Sequence, residues 1–500
     1  MKSNQRRETA WGAVLFLAAF SLYLDFLSKS YVFEGLARAM PIEVGRFRNL
    51  FNGNYLLYGF VGWCFHHFLQ AVGVDQLAVI SLQALDALIG ALGLWVYFRL
   101  LRRIGADIAS ALLWSLILGV TLGYWRWSTD AEDYIFSTFL LLINFYALVL
   151  YSEKSRIHPA HLGALHALAV TGHIVNIVFA PVILWFISSK HGKGWKKPAI
   201  TYAATVCLLV LAAYSAALLI VRPGGPYQAV RWLMGSAARG DVTGGFTLGG
   251  GPSWFKLWLW IKMTGNILTS YLPDFGDPPS WRSAAWLLWA ARACLAILAV
   301  TLVWRSNEIF SRHRTVAVGC CLWLVSYALV FTSWQPDTMV YRTTDLPAIC
   351  LLLSLVSLEL ELSLRLGLSI LLAASLGLGN FGAEIFPRSF AGNNPDLKRM
   401  AFIREHTTQA DWITGGGGRD ELYLPYFAQR RPLIVDRFTE HPEDLALLIG
   451  ELMKNGQSVY VTTRTLQDAF WRAYFKAHSL RSLAADETGF TLYRLTGPKR

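Results

Sequence analysis

Long apolar runs separated by short polar stretches dominate the first 380 residues of this chain. Most of these runs have close to the ~20 residues that a helix needs to cross a bilayer. They predict a polytopic α-helical membrane protein with about 11 transmembrane helices, two of them short half-helices counted as one pair. The predicted spans cover residues 11–27, 76–98, 107–124, 134–151, 199–220, 284–304, 315–332, 345–363 and 366–380, with the half-helix pair after the fourth.

The half-helix pair is predicted between residues 157 and 197, in a stretch that contains "ALAVTGHIVNIVFAPVILW". One continuous helix would place the lysine-rich residues 190–197 outside, against the excess of cations in cytoplasmic loops. Two half-helices that turn near Gly172–His173 keep these lysines inside. Because non-helical backbone at membrane depth is tolerated where it lines a cavity, the predicted break also marks a candidate site.

The predicted topology places the N-terminus in the cytoplasm and three loops, residues 28–75, 222–283 and 333–344, outside. Residues 1–380 form the predicted transmembrane domain, and residues 381–500 a small extracytoplasmic α/β domain. In this second domain "PLIVD" and "SVYVTT" have the composition of short strands, and "EDLALLIGELMKNG" that of a helix stopped by glycine. "ITGGGGRDE" lacks the Lys-Ser/Thr of a phosphate-binding P-loop and is interpreted as a loop.

Composition supports a membrane protein and argues against a nucleic-acid-binding one. Of the 500 residues, 54% are hydrophobic and 16% are charged, against roughly 25% charged in soluble proteins. Much of the net charge of +12 lies in short loops between apolar runs, which is the pattern of membrane topology rather than of a nucleic-acid surface. The six cysteines show neither a zinc-like spacing nor a disulfide framework.

Candidate chemistry is concentrated in polar residues that this topology gathers on the outer side of the membrane. "YWRWSTDAEDYIF" (residues 124–136) brings Asp130, Glu132 and Asp133 to the end of the third predicted span. The other candidates lie in the first outer loop, at the helix break and in the later loops: Glu34, Asn54, His173, Asn176, Lys262, Tyr341 and Arg342.

This mixture of carboxylates and cations fits the transfer of a sugar from a lipid phosphate. A carboxylate can take the proton of an acceptor hydroxyl, or hold a divalent cation such as Mg²⁺ or Mn²⁺, for which Glu34, Asp130 and Glu132 are the candidate ligands. Cations can stabilise a departing phosphate. Nucleotide sugars are absent outside the cytoplasm, so the donor there would be linked to a lipid.

Each candidate also has a structural interpretation. Glu132 and Asp133 can simply mark the water boundary, and His173 can be a hydrogen-bonded residue of the helix bundle. Arg342 can extend to lipid head groups. Asp86, inside the second span, can be functional or can make a hydrogen bond between helices.

The order of these features resembles the GT-C superfamily of membrane glycosyltransferases, close to its protein O-mannosyltransferase and aminoarabinose transferase branch. The resemblance is carried by "YVFEGLARAM" and "LFNGNYLLYG" in the first loop, "GYWRWSTDAEDYIF" after the third span, "GHIVNIVFAPVILW" at the broken pair, and "WQPDTMVYRTTDLPAICLLL" in the late loop. It covers residues 11–380.

The resemblance implies roles for particular residues. Glu34 corresponds to the catalytic acidic residue, Asp130 and Glu132 to a second acidic site, and Arg342 to a contact of the donor phosphate. The chain departs from the pattern in having Glu34 where the superfamily usually has Asp, and Asn54 in a segment that often contains His.

Three functions remain as hypotheses. The first is an inverting glycosyltransferase of the bacterial inner or plasma membrane. It would move a sugar from a polyprenyl-phosphate donor to a hydroxyl of a lipid, glycan or protein acceptor. The second is a transporter or flippase of a lipid-linked or small solute, although the sequence lacks the internal repeat of many transporters. The third is a non-catalytic membrane scaffold. Membrane lipids are expected partners in every case, and nucleic acid in none.

Overall fold

The structure, a computed structural model, describes residues 2–153, 157–235, 254–270 and 279–498. Contacts divide the chain into two compact units. The first unit comprises Met1–Ser28 and Pro41–Pro387, and the second comprises Lys29–Met40 and Arg388–Arg500. By contacts, therefore, a short segment of the predicted first outer loop groups with the C-terminal residues.

The first unit is helical throughout. Its helices, together with α2, which is divided between the units, are α1 Lys2–Asp25, α2 Phe33–Glu43, α3 Tyr58–Ala71, α4 Ala78–Arg103, α5 Ile108–Val120, α6 Leu122–Ser128, α7 Asp133–Ser152, α8 Pro159–Gly172, α9 Ala180–His191, α10 Lys196–Val221, α11 Pro226–Met234, α12 Trp254–Leu268, α13 Pro279–Trp304, α14 Ser306–Arg312, α15 Arg314–Ser333, α16 Leu346–Leu358 and α17 Leu362–Asn380. Two 3₁₀ segments matter for the site: Ile174–Phe179 and Met339–Asp345. A last helical turn, α18, covers Phe386–Arg388.

Eight helical segments within the described ranges are long and apolar enough to cross a membrane. They are Ala78–Arg103, Asp133–Ser152, Ile174–Gly194, Lys196–Val221, Ala285–Trp304, Arg314–Ser333, Met339–Leu358 and Leu362–Arg388. The pair α5 and α6 would make a ninth span, bent by 70°. A helical membrane-protein fold is thus confirmed, whereas the predicted number of about 11 transmembrane helices is not.

Helix α4 is the centre of the first unit, because it packs against α1, α3, α5, α6 and α7. At two glycines of α4, side chains of α6 approach the α4 backbone most closely. A Cβ atom at Gly90 would lie 2.2 Å from Ser128 Oγ, and one at Gly93 would lie 2.2 Å from Tyr124 Oη. Tyr124 uses this proximity to donate a hydrogen bond of 2.8 Å to the Gly90 carbonyl. The small residues of α4 therefore bring α6, and the polar residues that follow it, against the centre of the unit.

The candidate spans differ in how much of their apolar surface the protein covers. The buried share is 67% for α4, 72% for α7 and 78% for Met339–Leu358, but 17% for α10 and 22% for α13. The last two helices therefore lie at the periphery and expose apolar side chains such as Leu208 and Leu219. Apolar side chains exposed over a whole helix are expected where the helix faces lipid.

The helix predicted to break near Gly172–His173 does break there. Helix α8 ends at Gly172, His173 is extended with φ −156° and ψ 125°, and the 3₁₀ segment Ile174–Phe179 leads into α9. Within the predicted outer loop 222–283, residues 236–253 and 271–278 lie outside the described residues. The predicted first outer loop contains helices α2 and α3.

The second unit is built on a five-stranded mixed sheet in the order β2-β1-β3-β5-β4. The three parallel strands and the antiparallel pair are β1 Trp412–Gly415, β2 Arg431–Ile434, β3 Val459–Thr462, β4 His478–Ala485 and β5 Thr491–Pro498. Its helices are α19 Pro395–His406, α20 Arg419–Tyr423, α21 Pro442–Lys454, α22 Thr463–Gln467 and α23 Ala469–Lys476. The predicted strands "PLIVD" and "SVYVTT" and the predicted helix "EDLALLIGELMKNG" are confirmed as β2, β3 and α21.

Side chains from the sheet and its helices fill the core of the second unit. The buried apolar residues of this core are Leu433, Val435, Leu445, Ile449, Leu452, Val459, Val461, Trp471, Phe475 and Leu495. Strand β3 is buried at all four positions, which explains why its sequence is a continuous apolar run rather than an alternating one.

Candidate functional site

The acidic cluster of "YWRWSTDAEDYIF" lies in and directly after the turn between α6 and α7. Asp130, Glu132 and Asp133 are all at least 97% buried, so they do not mark a simple water boundary. Glu132 has extended backbone geometry at the N-cap position of α7, and Asp133 is in the first turn of that helix. The N-terminus of a helix carries a partial positive charge, which favours carboxylates there.

Side chains and backbone groups from other segments fix this acidic turn. Asp86 Oδ2, on α4, accepts hydrogen bonds from the Tyr58 hydroxyl at 2.6 Å and from the Glu132 backbone N–H at 2.9 Å. The Ser28 N–H donates to the Thr129 carbonyl at 2.9 Å. Asp86 therefore makes hydrogen bonds between segments, which is one of the two roles that the sequence analysis left open for it. Through the Glu132 N–H it also fixes the turn.

The imidazole of His173 faces the same turn. Its Nε2 atom lies 3.8 Å from Asp133 Oδ2, while its Nδ1 atom accepts a hydrogen bond of 3.2 Å from the Val175 N–H. The His173 ring centroid lies 5.1 Å from that of Tyr134. Because Nδ1 accepts the Val175 N–H, a neutral imidazole carries its proton on Nε2, on the side of the carboxylate.

The amide of Asn176 organises the helices around the break. Its Oδ1 accepts a hydrogen bond of 2.7 Å from the Tyr327 hydroxyl, and its Nδ2 donates to Ser137 Oγ and the Ala169 carbonyl, both at 2.9 Å. Asn176 is completely buried. Asn176 therefore supports the broken helix that presents His173.

Arg342 is a fully buried cation in the 3₁₀ segment Met339–Asp345. Its Cζ atom lies 4.5 Å from the ring centroid of Phe331 and 5.6 Å from that of Trp260. Nη1 lies 3.6 Å from Asp345 Oδ2, near enough for an ion pair but too far for a normal hydrogen bond. No guanidinium nitrogen of Arg342 has a hydrogen-bond partner within the described part of the chain.

Two tyrosines connect Arg342 to the acidic turn. The Tyr341 ring stacks on Phe331 at 4.8 Å and lies 5.4 Å from Tyr134, which follows Asp133 directly. Tyr134 in turn contacts His173. The first unit thus brings together three sets of groups: the buried carboxylates, the imidazole at the helix break, and a buried guanidinium with unused donors.

The remaining predicted residues lie apart from this arrangement or join it indirectly. Asn54 enters through its backbone, since its carbonyl accepts a hydrogen bond of 2.7 Å from the Ile174 N–H. Lys262 is exposed on α12, and its Nζ atom lies 5.2 Å from the ring of Trp258, one helical turn away. Glu34 is exposed in the first turn of α2, on the segment that belongs to the second unit.

Sequence reasoning missed three contributors to the site. Tyr58 and Asp345 were not singled out, nor was the aromatic pair that encloses Arg342. Asp345 carried a usable signal, because it lies three residues after Arg342, the separation of neighbours on one helical face. Tyr58 carried no signal in the sequence, because its partner Asp86 is 28 residues away.

The acidic residues and His173 are also possible ligands of a metal ion. Across the described ranges, no group of three or more His, Cys, Asp or Glu side chains is arranged to hold an ion. One oxygen of Asp86 already accepts two hydrogen bonds. The described residues thus show no metal site, and the Mg²⁺ or Mn²⁺ ion with Glu34, Asp130 and Glu132 as ligands stays a prediction.

The chain was compared with known families and structures. No family model and no curated protein matches the sequence. Among solved structures, the crystal structure of ArnT from Cupriavidus metallidurans bound to undecaprenyl phosphate matches with a TM-score of 0.64 at 12% identity, over 98% of this chain and 100% of that one. The apo ArnT structure gives 0.64 at 13% identity, over 98% and 99% of the two chains.

The chain has the GT-C fold. The resemblance to the GT-C superfamily predicted from the sequence is therefore confirmed for the fold. An oligosaccharyltransferase from Archaeoglobus fulgidus, in complex with zinc and sulfate, also matches, with a TM-score of 0.49 at 13% identity over 89% of this chain and 64% of that one. At 12% and 13% identity the two ArnT structures show the fold alone and do not establish the roles of residues.

Proposed function

We propose that this GT-C protein is a glycosyltransferase that moves a sugar from a polyprenyl-phosphate donor to an acceptor hydroxyl on the extracytoplasmic side of the membrane. The observation that carries the proposal is the buried guanidinium of Arg342, whose nitrogens have no hydrogen-bond partner in the described residues. A buried donor without a partner is costly, and a phosphate oxygen is the acceptor that a guanidinium matches best. The ArnT structure of the same fold holds undecaprenyl phosphate, which supports this class of donor.

Arg342 would act on the leaving group. In the reaction, the acceptor oxygen bonds to the anomeric carbon, the bond from that carbon to the phosphate oxygen breaks, and polyprenyl phosphate leaves as an anion. A fixed guanidinium in a low-dielectric site stabilises that charge more than water would. Asp345 would keep the guanidinium from being an isolated buried charge before the donor binds.

Glu34 would take the proton of the acceptor hydroxyl, with Asp130 and Glu132 supporting it. Asp130 and Glu132 are held in a fixed turn, and His173 faces Asp133 beside them. Glu34 is proposed as the base from the resemblance alone, and its position in the first turn of α2 keeps it accessible. A single displacement with one base would invert the configuration of the sugar at its anomeric carbon.

The test begins from purified protein in lipid nanodiscs. Undecaprenyl-phosphate-linked sugars (a hexose, a pentose and an amino-pentose) are supplied together with a lipid and glycan extract of bacterial membranes as acceptor, and released undecaprenyl phosphate is measured. The proposal expects release for at least one donor, lost in Glu132→Gln. If no donor is consumed but one is moved between the leaflets of a liposome, the flippase hypothesis replaces it. If the donor is neither consumed nor moved between the leaflets, the scaffold hypothesis replaces the proposal.

A further inference from the structure

The second unit has a cavity at the place where open α/β sheets bind ligands. The chain passes from β1 to β2 on one side and then returns to place β3 on the other side of β1. The strand order therefore reverses between β1 and β3, and ligands of such sheets bind beyond the carboxyl ends of the strands at this reversal. An open, shallow cavity with a volume of about 10 Å³ lies there, lined by Thr414 in β1 and Thr462 at the end of β3.

The cavity is lined by cations on two sides and by an aromatic ring. Arg399 comes from α19 and Arg464 from α22, and Phe490 precedes β5. The Cζ atom of Arg399 lies 5.7 Å from the Phe490 ring. The buried Nε atom of Arg399 has no hydrogen-bond partner within the described ranges. About 45% of the Arg464 side chain is exposed, so one cation is fixed and the other is accessible from the mouth of the cavity.

Acidic residues form ion pairs with these cations. Arg464 Nη1 lies 3.2 Å from Asp420 Oδ1, and Arg399 contacts Asp396 and lies 3.9 Å from Asp420. Arg419 adds a third cation, 3.2 Å from Asp396. Three arginines thus lie beside Asp396 and Asp420, and Asp436 contacts the adjoining glycine loop, so an oxyanion would be received by unused N–H donors rather than by an excess of positive charge. Each guanidinium has five N–H donors, more than these contacts use.

The glycine-rich sequence "GGGG" directs further donors to the same sheet edge. The Gly416 N–H donates to Asp420 Oδ2 at 3.2 Å, and the Gly417 N–H donates to Asp436 Oδ2 at 2.6 Å. Gly418 has φ +70°, which only glycine adopts without strain, and it ends the loop before α20. The N–H groups of Gly416 and Gly417 are thus used by the protein's own carboxylates, and the loop fixes Asp420 beside the arginines.

We propose that this cavity, termed here the switch-point cavity (Arg399, Thr414, Asp420, Thr462, Arg464 and Phe490), binds the phosphate or carboxylate group of a small molecule. Arg464 and Arg399 would hold the oxyanion, because a planar guanidinium matches its oxygens in pairs. Phe490 and the two threonines would border the uncharged part of the ligand. The cavity volume has room for about one oxyanion group, so the rest of the ligand would lie in the open mouth of the cavity. The proposal does not depend on the transferase activity proposed above.

The test titrates the full-length protein in nanodiscs with four probes by isothermal titration calorimetry. Inorganic phosphate, glucose 6-phosphate and glucuronate carry an oxyanion, and glucose is the neutral comparison. At least one anionic probe is expected to bind, with glucose silent. Binding of a phosphate only, or of glucuronate only, supports the site and identifies the group. No heat from any anionic probe up to about 10 mM would overturn the proposal, since a specific site should bind more tightly than that.

Matched variants locate the binding. Arg464→Gln is expected to weaken it at least about tenfold, since a charge-assisted pair is lost. Arg481→Gln, an equal charge change at an exposed position of β4, should leave it unchanged. Equal binding in wild type and Arg464→Gln would contradict the proposal. Because Arg342 is another anion receptor, Arg342→Met/Asp345→Asn is titrated as well and should bind like wild type.

A footprint on the unsubstituted protein covers the case in which Arg464→Gln fails to fold. Phenylglyoxal modifies accessible arginines, and peptide mass spectrometry gives the rate at each one. With the bound probe present, modification of Arg464 is expected to slow severalfold while that of Arg481 stays the same. Unchanged modification of Arg464 would indicate that the arginines and aspartates only join α19 to the sheet by ion pairs.

Discussion

The hydrogen bond between Tyr58 and Asp86 gives the sharpest test of how the acidic turn is held. Tyr58→Phe removes one hydroxyl that donates to Asp86 Oδ2 at 2.6 Å, in a place where both side chains are fully buried. The ring stays, so no large cavity forms. Asp86 keeps the Glu132 N–H, but Oδ2, the oxygen that positions this N–H, loses the Tyr58 hydroxyl.

The expected magnitude follows from the kind of bond. A hydrogen bond to a charged group contributes about 1.5–3 kcal/mol, against about 0.5–1.5 kcal/mol for a neutral pair. If that energy serves to hold Glu132 in its reactive position, transfer should slow by roughly 10- to 150-fold, because each 1.36 kcal/mol on the barrier is tenfold in rate. The loss should appear in kcat more than in KM, since the turn acts on the reacting groups rather than on the lipid tail.

Tyr23→Phe is the matched control. Its hydroxyl is also buried, but it donates to a backbone carbonyl, that of Gly119, at 2.9 Å. It should lower thermal stability modestly and leave the rate of undecaprenyl phosphate release from the donor unchanged. Both variants are assayed in nanodiscs with the donor that wild type consumes. A Tyr58→Phe protein with wild-type kcat, or a loss of kcat that Tyr23→Phe shares, would refute the role of Asp86 in positioning the turn.

The remaining predictions concern the site, the packing and the topology. Glu34→Gln should abolish transfer with an unchanged melting temperature, and full activity in that variant would remove Glu34 as the base. Asn176→Leu should lower the melting temperature, because the buried Tyr327 hydroxyl loses its acceptor and the Ala169 carbonyl keeps only the His173 N–H; equal melting of variant and wild type would contradict this role. Gly93→Ala should destabilise by forcing the Tyr124 ring away, as a Cβ there would lie 2.2 Å from its Oη. A reporter active only outside the cytoplasm, fused after residue 380, should give signal, and silence would overturn the predicted sidedness.

The sequence was sufficient for the architecture where one physical signal dominated. Apolar runs of membrane length identified the long helices, and the position of the break at Gly172–His173 followed from the charge of the loop after it. Two strands of the second unit, β2 and β3, were recognisable from their composition, whereas the start of "ITGGGGRDE", interpreted as a loop, lies in β1. The number of spans was less accessible, because helices such as α5 and α6 are bent or short and hydropathy alone cannot decide whether they cross.

The site was predictable by residue type and less so by arrangement. Three acidic residues close together in an apolar chain indicated function, and their burial strengthens that interpretation. The partners that make the arrangement come from distant parts of the chain: Tyr58 for Asp86, and Phe331 and Trp260 for Arg342. Such contacts depend on how helices pack, which no local pattern encodes. Lys262, chosen for its charge alone, is exposed beside Trp258.

The measurement that tests the central claim most directly is the retention of undecaprenyl phosphate by the purified protein, followed by native mass spectrometry. Wild type, Arg342→Met/Asp345→Asn and the control Lys262→Met are compared. The double variant removes the buried ion pair together and so avoids leaving Asp345 as an unpaired buried charge. The account predicts specific retention by wild type and Lys262→Met, and its loss in the double variant. Retention that persists without Arg342, or no retention in wild type, would contradict the account.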